Sequence, residues 1–319
     1  MISNIEITKQ RSKAKRIISA YLESLGYNEI ETPLLSHTAI PESTIELFET
    51  RRKQYDRSDF FYLLPSPELY MKKSLSKEGK SIYQFSKCFR NSEQTSDFHS
   101  CEFTMLEYYK TDADDSYSLK VTEQMLGVLS SEFNSTHLSS INTVISMREL
   151  VKRQTGIDIA LLRDKEEFQR AVEKKGVTVW DKNESRADTF NRLFVALVED
   201  RIKDIAPVVT ITDYPSEILC LAKDDSTGAF KKRWEMYING IETANCYTEE
   251  TRESRVKEYF DHEDRAKKAI DPLFRSDKEL PTMALPESSG VAIGFDRLMM
   301  CLLDKKIIGE VIPFAEYLK

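Results

Sequence analysis

An arginine and a phenylalanine in one predicted hairpin are the first residues of this sequence that could do chemistry. Residues 82–90 and 101–109 each alternate apolar and polar side chains, as β-strands do, and the polar residues 91–100 join them. Arg90 could grip a phosphate with its forked guanidinium, and Phe103 offers a flat apolar face to a purine. An ordinary surface hairpin fits the same pattern, so a nucleotide site and a surface hairpin both stay open.

Two glutamates farther along the chain could hold a hard cation. Glu235 and Glu242 lie on either side of Asn239-Gly240, a dipeptide that strongly favours a tight hairpin turn. Placed opposite each other across that turn, the two carboxylates could share Mg²⁺. Acidic residues on a solvated sheet face are commoner than metal ligands, so that alternative stays open as well.

Two predicted helix starts carry a charged residue. Residues 289–294 form a small-residue strand that enters a helix, with Arg297 in its first turn; glycine there would let a backbone approach a ligand, although packing is the default role. Glu68 follows Pro67 at the start of an earlier helix, where it complements the helix dipole or reaches a ligand amine.

The remaining elements must position these side chains. Apolar residues recur on one helical face over residues 8–25, and residues 27–35 are predicted as a strand with a proline bend. Residues 111–205 are predicted as a mostly helical insertion, and strands are predicted again at 208–212 and 218–222.

The composition argues against a polyanion-binding surface, a zinc site and a membrane-spanning segment. The 319 residues are 40% hydrophobic and carry a net charge of −7, which argues against a broad polyanion-binding surface. Five scattered cysteines and four histidines show no zinc-like spacing. We find no apolar run of spanning length and no signal-peptide core, so a cytoplasmic protein without a membrane partner is expected.

The order of the charged segments resembles the catalytic domain of the class II aminoacyl-tRNA synthetases over nearly the whole chain. Residues 8–25 with Pro33 resemble the first motif of that class, residues 89–107 the second, and residues 290–298 the third. The resemblance implies an α+β fold with an antiparallel sheet flanked by helices, a homodimer, and one catalytic domain over residues 1–319.

Within the class, Pro67-Glu68-Leu69-Tyr70, residues 102–107 and residues 245–249 resemble the lysyl type. The first catalytic helix begins almost at once, so no N-terminal OB-fold anticodon-binding domain is expected. A stand-alone lysyl-type domain resembles the elongation factor P–lysine ligases, which attach (R)-β-lysine to a protein lysine. Ser66 and Ala292 favour that branch, because lysyl-type synthetases usually have alanine and glycine there; the extra methyl is worth about 1–3 kcal/mol of discrimination.

The resemblance implies an ATP-dependent ligase with Mg²⁺ on Glu235 and Glu242. Arg90 would hold the substrate carboxylate and the α-phosphate, while Phe103 and Arg297 would sandwich the adenine. The residues implied at ATP are Arg90, Glu93, His99, Phe103 and Arg297.

The resemblance also implies a pocket for a lysine-type amino acid, in which each buried ammonium has an anionic partner. Glu249 with Tyr109 would take the distal amine, and Glu68 with Ser66 the other amine. Asn245 would support the carboxylate, and Ala292 would form the pocket floor.

The loop of the second motif departs from the family pattern. It reads Arg90-Asn91-Ser92-Glu93 where Arg-x-Glu is usual, and residues 99–102 replace His-Asn-Pro-Glu. Elongation factor P is the expected acceptor and tRNA is not. The altered loop keeps open a truncated lysyl-type enzyme that activates α-lysine for another acceptor, and a non-catalytic paralogue that binds an amino acid or adenylate.

Overall fold

The computed structural model describes residues 3–91, 96–135, 138 and 142–317. In this part of the chain, a large sheet and a small one are flanked by helices, which confirms the predicted α+β class. The strands are β1 (Asn28–Glu29), β2 (Leu35–Ser36), β3 (Phe48–Gln54), β4 (Arg57–Leu63), β5 (Ile82–Phe89), β6 (Glu102–Thr111), β7 (Asn142–Ser146), β8 (Val208–Pro215), β9 (Phe230–Ile238), β10 (Ile241–Thr248) and β11 (Ser288–Gly294).

Helices pack against the large sheet and contribute to its hydrophobic clusters. The first, predicted at residues 8–25, begins after the N-cap Ser3 and is followed by Gly26 at φ 81°. The helices are α1 (Asn4–Ser24), α2 (Glu68–Glu78), α3 (Asp115–Phe133), α4 (Met147–Thr155), α5 (Lys165–Glu173), α6 (Arg186–Leu197), α7 (Glu253–Ile270) and α8 (Phe295–Leu302). Among the described residues, none of these helices is both long and apolar enough to cross a bilayer.

The large sheet has the strand order β1-β5-β6-β11-β10-β9-β8-β7. The outer pairs β1·β5 and β7·β8 are parallel, and the pairs between them are antiparallel. The small sheet, β2-β4-β3, carries the hairpin that precedes α2. The central strands β6, β11 and β10 therefore lie side by side although the chain between them is long.

Alternation along the central strands separates a core face from a polar face. Leu106, Tyr108 and Ile293 are buried in one hydrophobic cluster with residues of α1, α3 and α8. Because successive side chains of a strand point to opposite faces, Glu107 and Tyr109 point away from that cluster. The face opposite the core is thus free to carry ligand-binding groups.

Residues 111–205 contact the large sheet through helix α3 and through strand β7. Helix α3 contributes Val121 and Met125 to the main core, and β7 pairs with β8 at the sheet edge. Helices α4 to α6 form a second cluster around Phe168 and Phe190. Treatment of this stretch as an insertion within one catalytic domain stays a prediction.

Two predicted strands are wrong. In place of a strand over residues 27–35, the chain forms only the two-residue strands β1 and β2, and Pro33 between them has no N–H to pair. In place of a strand over residues 218–222, the backbone turns, with the Ile218 N–H donating to the Pro215 carbonyl, and pairs only through a single bridge at Ala222.

Candidate active site

Two adjoining cavities open on the polar face of the large sheet. The outer cavity, about 320 Å³, lies between the β5–β6 loop and the start of α8 and is lined by Phe103 and Arg297 among others. The acidic pocket, about 130 Å³, lies deeper and is lined by Glu42, Glu68, Glu107 and Glu249 among others. Both cavities are lined by Arg90, Met105, Asn245 and Ala292, which therefore form their junction.

The register of the central strands builds the floor of this junction. Glu107 of β6 lies opposite Ala292 of β11, which lies opposite Asn245 of β10, which lies opposite Glu235 of β9. Residues directly opposite in antiparallel strands point to the same face. One cross-strand row thus carries three polar side chains with the small Ala292 between two of them.

In the neighbouring cross-strand row, Gly290 leaves space at the floor of the acidic pocket. Gly290 lies between Tyr109 and Tyr247 in the register. A Cβ on Gly290 would lie 2.4 Å from Cε1 of Tyr109 and 2.6 Å from Oε1 of Glu249, closer than any real Cβ contact. Only glycine leaves room here for both side chains, and therefore for a ligand between them.

In the outer cavity, cationic and aromatic groups are held in place by the loop and the sheet. The guanidinium carbon of Arg90 lies 5.2 Å from the Phe103 ring centroid. Arg297 donates from Nε to the Phe98 carbonyl at 3.2 Å and from NH1 to the Glu242 carbonyl at 2.8 Å. Two arginines and the Phe103 ring thus line a cavity suited to a phosphorylated, planar ligand.

His99 has a defined tautomer in this arrangement. Its Nε2 lies 2.7 Å from NH2 of Arg297, and a guanidinium can only donate. Nε2 therefore accepts, and the proton on Nδ1 is donated to Oγ of Ser96 at 2.6 Å. The imidazole is neutral in this geometry and orients the arginine.

A buried ion pair fixes the strand-to-helix corner that presents Arg297. Oδ1 of Asp296 lies 2.5 Å from NH1 of Arg11 in α1, and Oδ2 accepts the Thr104 backbone N–H of β6 at 2.7 Å. NH2 of Arg11 also donates to Oγ1 of Thr104 at 2.9 Å. These contacts join α1, β6 and α8, and they were not predicted from the sequence.

The acidic pocket holds more carboxylates than cations. Glu107 and Glu249 are each 2% exposed. Burial raises the pKa of Glu249 and of Glu42 to about 7 and that of Glu107 well above its usual range. The Tyr109 hydroxyl donates to Oε2 of Glu107 at 3.2 Å. Such a pocket favours a ligand that brings positive charge.

A β-bulge places Glu242 on the ligand face. In β10 the register shifts between Glu242 and Ala244, so that Glu242 lies opposite Tyr237 while Asn245 lies opposite Glu235. Regular alternation would send residues 242 and 245 to opposite faces; the extra residue brings them to the same face. The expectation that Glu235 and Glu242 lie directly opposite each other is therefore wrong: they are diagonal neighbours, because the bulge shifts the pairing.

The two glutamates differ in their surroundings. Glu235 is paired with Arg233, and its Oε2 accepts from Tyr214 at 2.6 Å and Tyr237 at 3.2 Å. Glu242 lines the outer cavity, where burial and then the charge of Glu235 raise its pKa to about 7. Among the described residues, no group of three or more His, Cys, Asp or Glu side chains forms a metal cluster.

These donors fit a cation that is shared with a ligand. Mg²⁺ is commonly bound by one or two carboxylates together with substrate phosphates and water. Glu242 offers a carboxylate at the cavity wall, and Glu235 lies behind it with its oxygens already engaged. The arrangement fits Glu242 as a direct ligand and Glu235 as its acidic neighbour.

The structure brings most of the predicted site residues into these cavities, although their roles stay predictions. Glu93 lies outside the described residues, and Glu235 is not among the residues that line the two cavities. Sequence reasoning missed Glu42 and Lys72, and the spacing of Lys72 four residues after Glu68 could have indicated an ion pair. The predicted residues that line a cavity are Ser66, Glu68, Arg90, His99, Phe103, Tyr109, Glu242, Asn245, Glu249, Ala292 and Arg297.

The sequence of this chain is similar to one family model and to known ligases over nearly its whole length. Residues 3–317 match the model of the tRNA synthetases class II (D, K and N). The elongation factor P–(R)-beta-lysine ligase of Proteus mirabilis is 32% identical, over 97% of this chain and 94% of that protein. The equivalent ligase of Actinobacillus succinogenes is 31% identical, over 98% of this chain and 96% of that protein.

Lysine–tRNA ligases share a comparable percentage of identical residues with this chain. That of Pelotomaculum thermopropionicum is 30% identical, over 97% of this chain. The chain spans 63% of the length of that relative.

Proposed function

The chain belongs to the family of class II tRNA synthetases (D, K and N), and from that premise we propose that it is an ATP-dependent ligase for a lysine-type amino acid. The proposed substrate is (R)-β-lysine, and the proposed acceptor is a lysine of elongation factor P. Relatives that are named as ligases of this kind match the chain along nearly their full length, which supports the proposal.

One observation carries the proposal: the acidic pocket meets the outer cavity at Arg90. A diamino acid has two ammonium groups, which the pocket carboxylates can pair, and one carboxylate, which needs a cation. Arg90 is that cation, and it also lines the cavity proposed for ATP. The reacting carboxylate and the α-phosphate would therefore meet at one side chain.

In the first step an oxygen of the substrate carboxylate attacks the α-phosphorus of ATP. A carboxylate–phosphorus bond forms, the bond to the bridging oxygen breaks, and pyrophosphate leaves. Arg90 stabilises negative charge on the transferring phosphoryl group, while Phe103 and Arg297 hold the adenine. Glu249 with Tyr109, and Glu68 with Ser66, hold the two amines, and Asn245 orients the carboxylate.

Glu242, with Glu235 behind it, would hold Mg²⁺ on the phosphates, and the metal supplies charge neutralisation for the pyrophosphate leaving group.

In the second step the neutral amine of the acceptor lysine attacks the acyl carbon of the adenylate. An amide bond forms, the acyl–oxygen bond breaks, AMP leaves, and the amine loses a proton. The predicted acidic binding pocket keeps the substrate amines paired throughout, so that the incoming amine is the free nucleophile.

A second candidate function is activation of α-lysine for tRNA or another acceptor. The similarity to a lysine–tRNA ligase over 97% of this chain favours it. The two candidates share the first step and differ in the amino acid and the acceptor.

The test is transfer to the acceptor, measured by intact-protein mass spectrometry. Wild-type protein, Mg²⁺, ATP and (R)-β-lysine should add one lysyl mass to elongation factor P, and a Lys→Arg change at the acceptor position should prevent it. The Arg90→Ala variant should give no product, while Arg51→Ala, which removes an exposed arginine of β3, should leave the yield unchanged. Charging of tRNA with α-lysine and no mass added to elongation factor P would favour the second candidate.

A further inference from the structure

A buried lysine lies behind the acidic pocket and has no part in the proposed reaction. Lys72 of α2 is 1% exposed, and it is not among the residues that line the pocket. Its Nζ lies 2.6 Å from Oε1 of Glu68, one turn earlier on the helix, and 2.8 Å from Oε2 of Glu249 on β10. The two carboxylates proposed to hold the two substrate amines are thus joined by one ammonium of the protein.

Glu249 keeps its second oxygen for a ligand. Lys72 contacts Oε2 of Glu249, whereas Oε1 of Glu249 points at Gly290, where an added Cβ would lie 2.6 Å away. Both Gly290 and Glu68 line the acidic pocket. The ammonium of Lys72 therefore contacts both carboxylates and leaves Oε1 of Glu249 directed into the pocket.

We propose that Lys72 is a positioning residue that holds the carboxylates of Glu68 and Glu249 as a pair, and so makes the pocket able to bind two ammonium groups at once. This inference rests on the proposed function for its substrate. Removal of the ammonium that contacts Glu249 would favour the protonated form of this buried carboxyl group.

The electrostatics of the pocket agree with this role. Burial raises the pKa of Glu249 to about 7, and Lys72 opposes that rise more strongly than any other group. Burial alone would lower the pKa of Lys72, but Glu249 and Glu68 outweigh it, so its pKa lies above the ordinary value and it stays charged. The other charged or titratable groups that face the pocket are Glu42, Arg90, Glu107, Tyr109 and Tyr247.

Lys72→Met tests the inference, because it keeps the length of the side chain and removes its charge. Lys73→Met is the matched control: this neighbouring lysine pairs with Asp277 and Glu279, away from the pocket. In ATP–pyrophosphate exchange, Lys72→Met should raise the KM for the amino acid about tenfold at pH 7, the effect of about one pKa unit. The KM for ATP should change less than about twofold, and the amino-acid KM should recover as the pH is raised toward about 8.5.

A ligand-free measurement separates this inference from the proposed function. The pKa of Glu249 is raised, so its contribution to stability is complete below its ordinary value of about 4.5 and is lost as the pH rises through about 7. In Lys72→Met that loss should continue to higher pH, because the pKa of Glu249 rises further. The difference in urea midpoint between Lys72→Met and wild type should therefore grow from pH 5 to pH 8. When both proteins also carry Glu249→Gln, this growth with pH should vanish.

The outcomes are distinct. If wild type exchanges with no amino acid but the pH-dependent difference in stability is found, the proposed function fails and the electrostatic role of Lys72 stands. If Lys72→Met shifts the KM for ATP and for the amino acid equally, with no pH dependence, Lys72 is only structural and the inference is overturned. The inference is also overturned if neither Lys72→Met nor Lys72→Met/Glu249→Gln folds.

Discussion

Ala292 is the residue whose substitution should most directly alter substrate choice. It lies between Glu107 and Asn245 in the cross-strand row, so its methyl group occupies the floor where the two cavities meet. Ala292→Gly should lower the preference for (R)-β-lysine over α-lysine by about tenfold, the lower end of the 1–3 kcal/mol expected for one methyl. The measurement is kcat/KM for each amino acid in pyrophosphate exchange.

The control for this change is Ala284→Gly, which makes the same substitution at an exposed position outside both cavities. It should leave the preference as in wild type. An unchanged preference in Ala292→Gly as well would remove Ala292 as a determinant of specificity.

The place of Arg90 was predictable from the sequence, whereas that of Glu242 was not. The alternation of residues 82–90 and 101–109 predicted a hairpin with Arg90 and Phe103 near one site, and the guanidinium carbon of Arg90 lies 5.2 Å from the Phe103 ring centroid. The face of Glu242 depends on one extra residue in β10, and alternation in the sequence gives no sign of that bulge.

At the scale of elements, the first helix and the central strands were predictable, whereas α7 and the short strands beside the central ones were not. Residues 8–25 carry a clear apolar face, and the Asn239-Gly240 turn fixed the β9–β10 hairpin, with φ of 52° and 80° at the two residues. Residues 27–35 and 218–222 have strand-like composition, but strand formation there depends on a partner edge. The pairing partner is decided by tertiary packing, which local pattern does not contain.

The junction of α1, β6 and α8 is the element-scale contact that should matter most for stability. Arg11 is 7% exposed and Asp296 is 2% exposed, and removal of one partner leaves the other buried and unpaired. Arg11→Met should therefore lower the free energy of unfolding by about 3 kcal/mol, and it should weaken ATP binding because Asp296 precedes Arg297. Urea denaturation and the KM for ATP measure the two effects.

Arg16→Met serves as the comparison, since Arg16 is exposed on the same helix. Its free energy of unfolding should stay within about 0.5 kcal/mol of wild type. Equal stability of Arg11→Met and Arg16→Met would show that the buried pair does not hold the corner together.

At the scale of the whole molecule, the resemblance to class II synthetases leads us to predict a homodimer. The expected mass in sedimentation equilibrium is twice that of the chain, at a concentration where activity is measured. A monomer that is fully active at that concentration would contradict the prediction.

The whole molecule brings a carboxylate-rich pocket and a cationic cavity together at Arg90, and the central claim is that it activates a lysine-type amino acid there. ATP–pyrophosphate exchange with Mg²⁺ tests this most directly, with (R)-β-lysine, α-lysine or no amino acid. Exchange should be strongest with (R)-β-lysine, and it should be lost in Arg90→Ala, by about 10²-fold or more. Protein that binds ATP but catalyses no exchange with either amino acid would contradict the account.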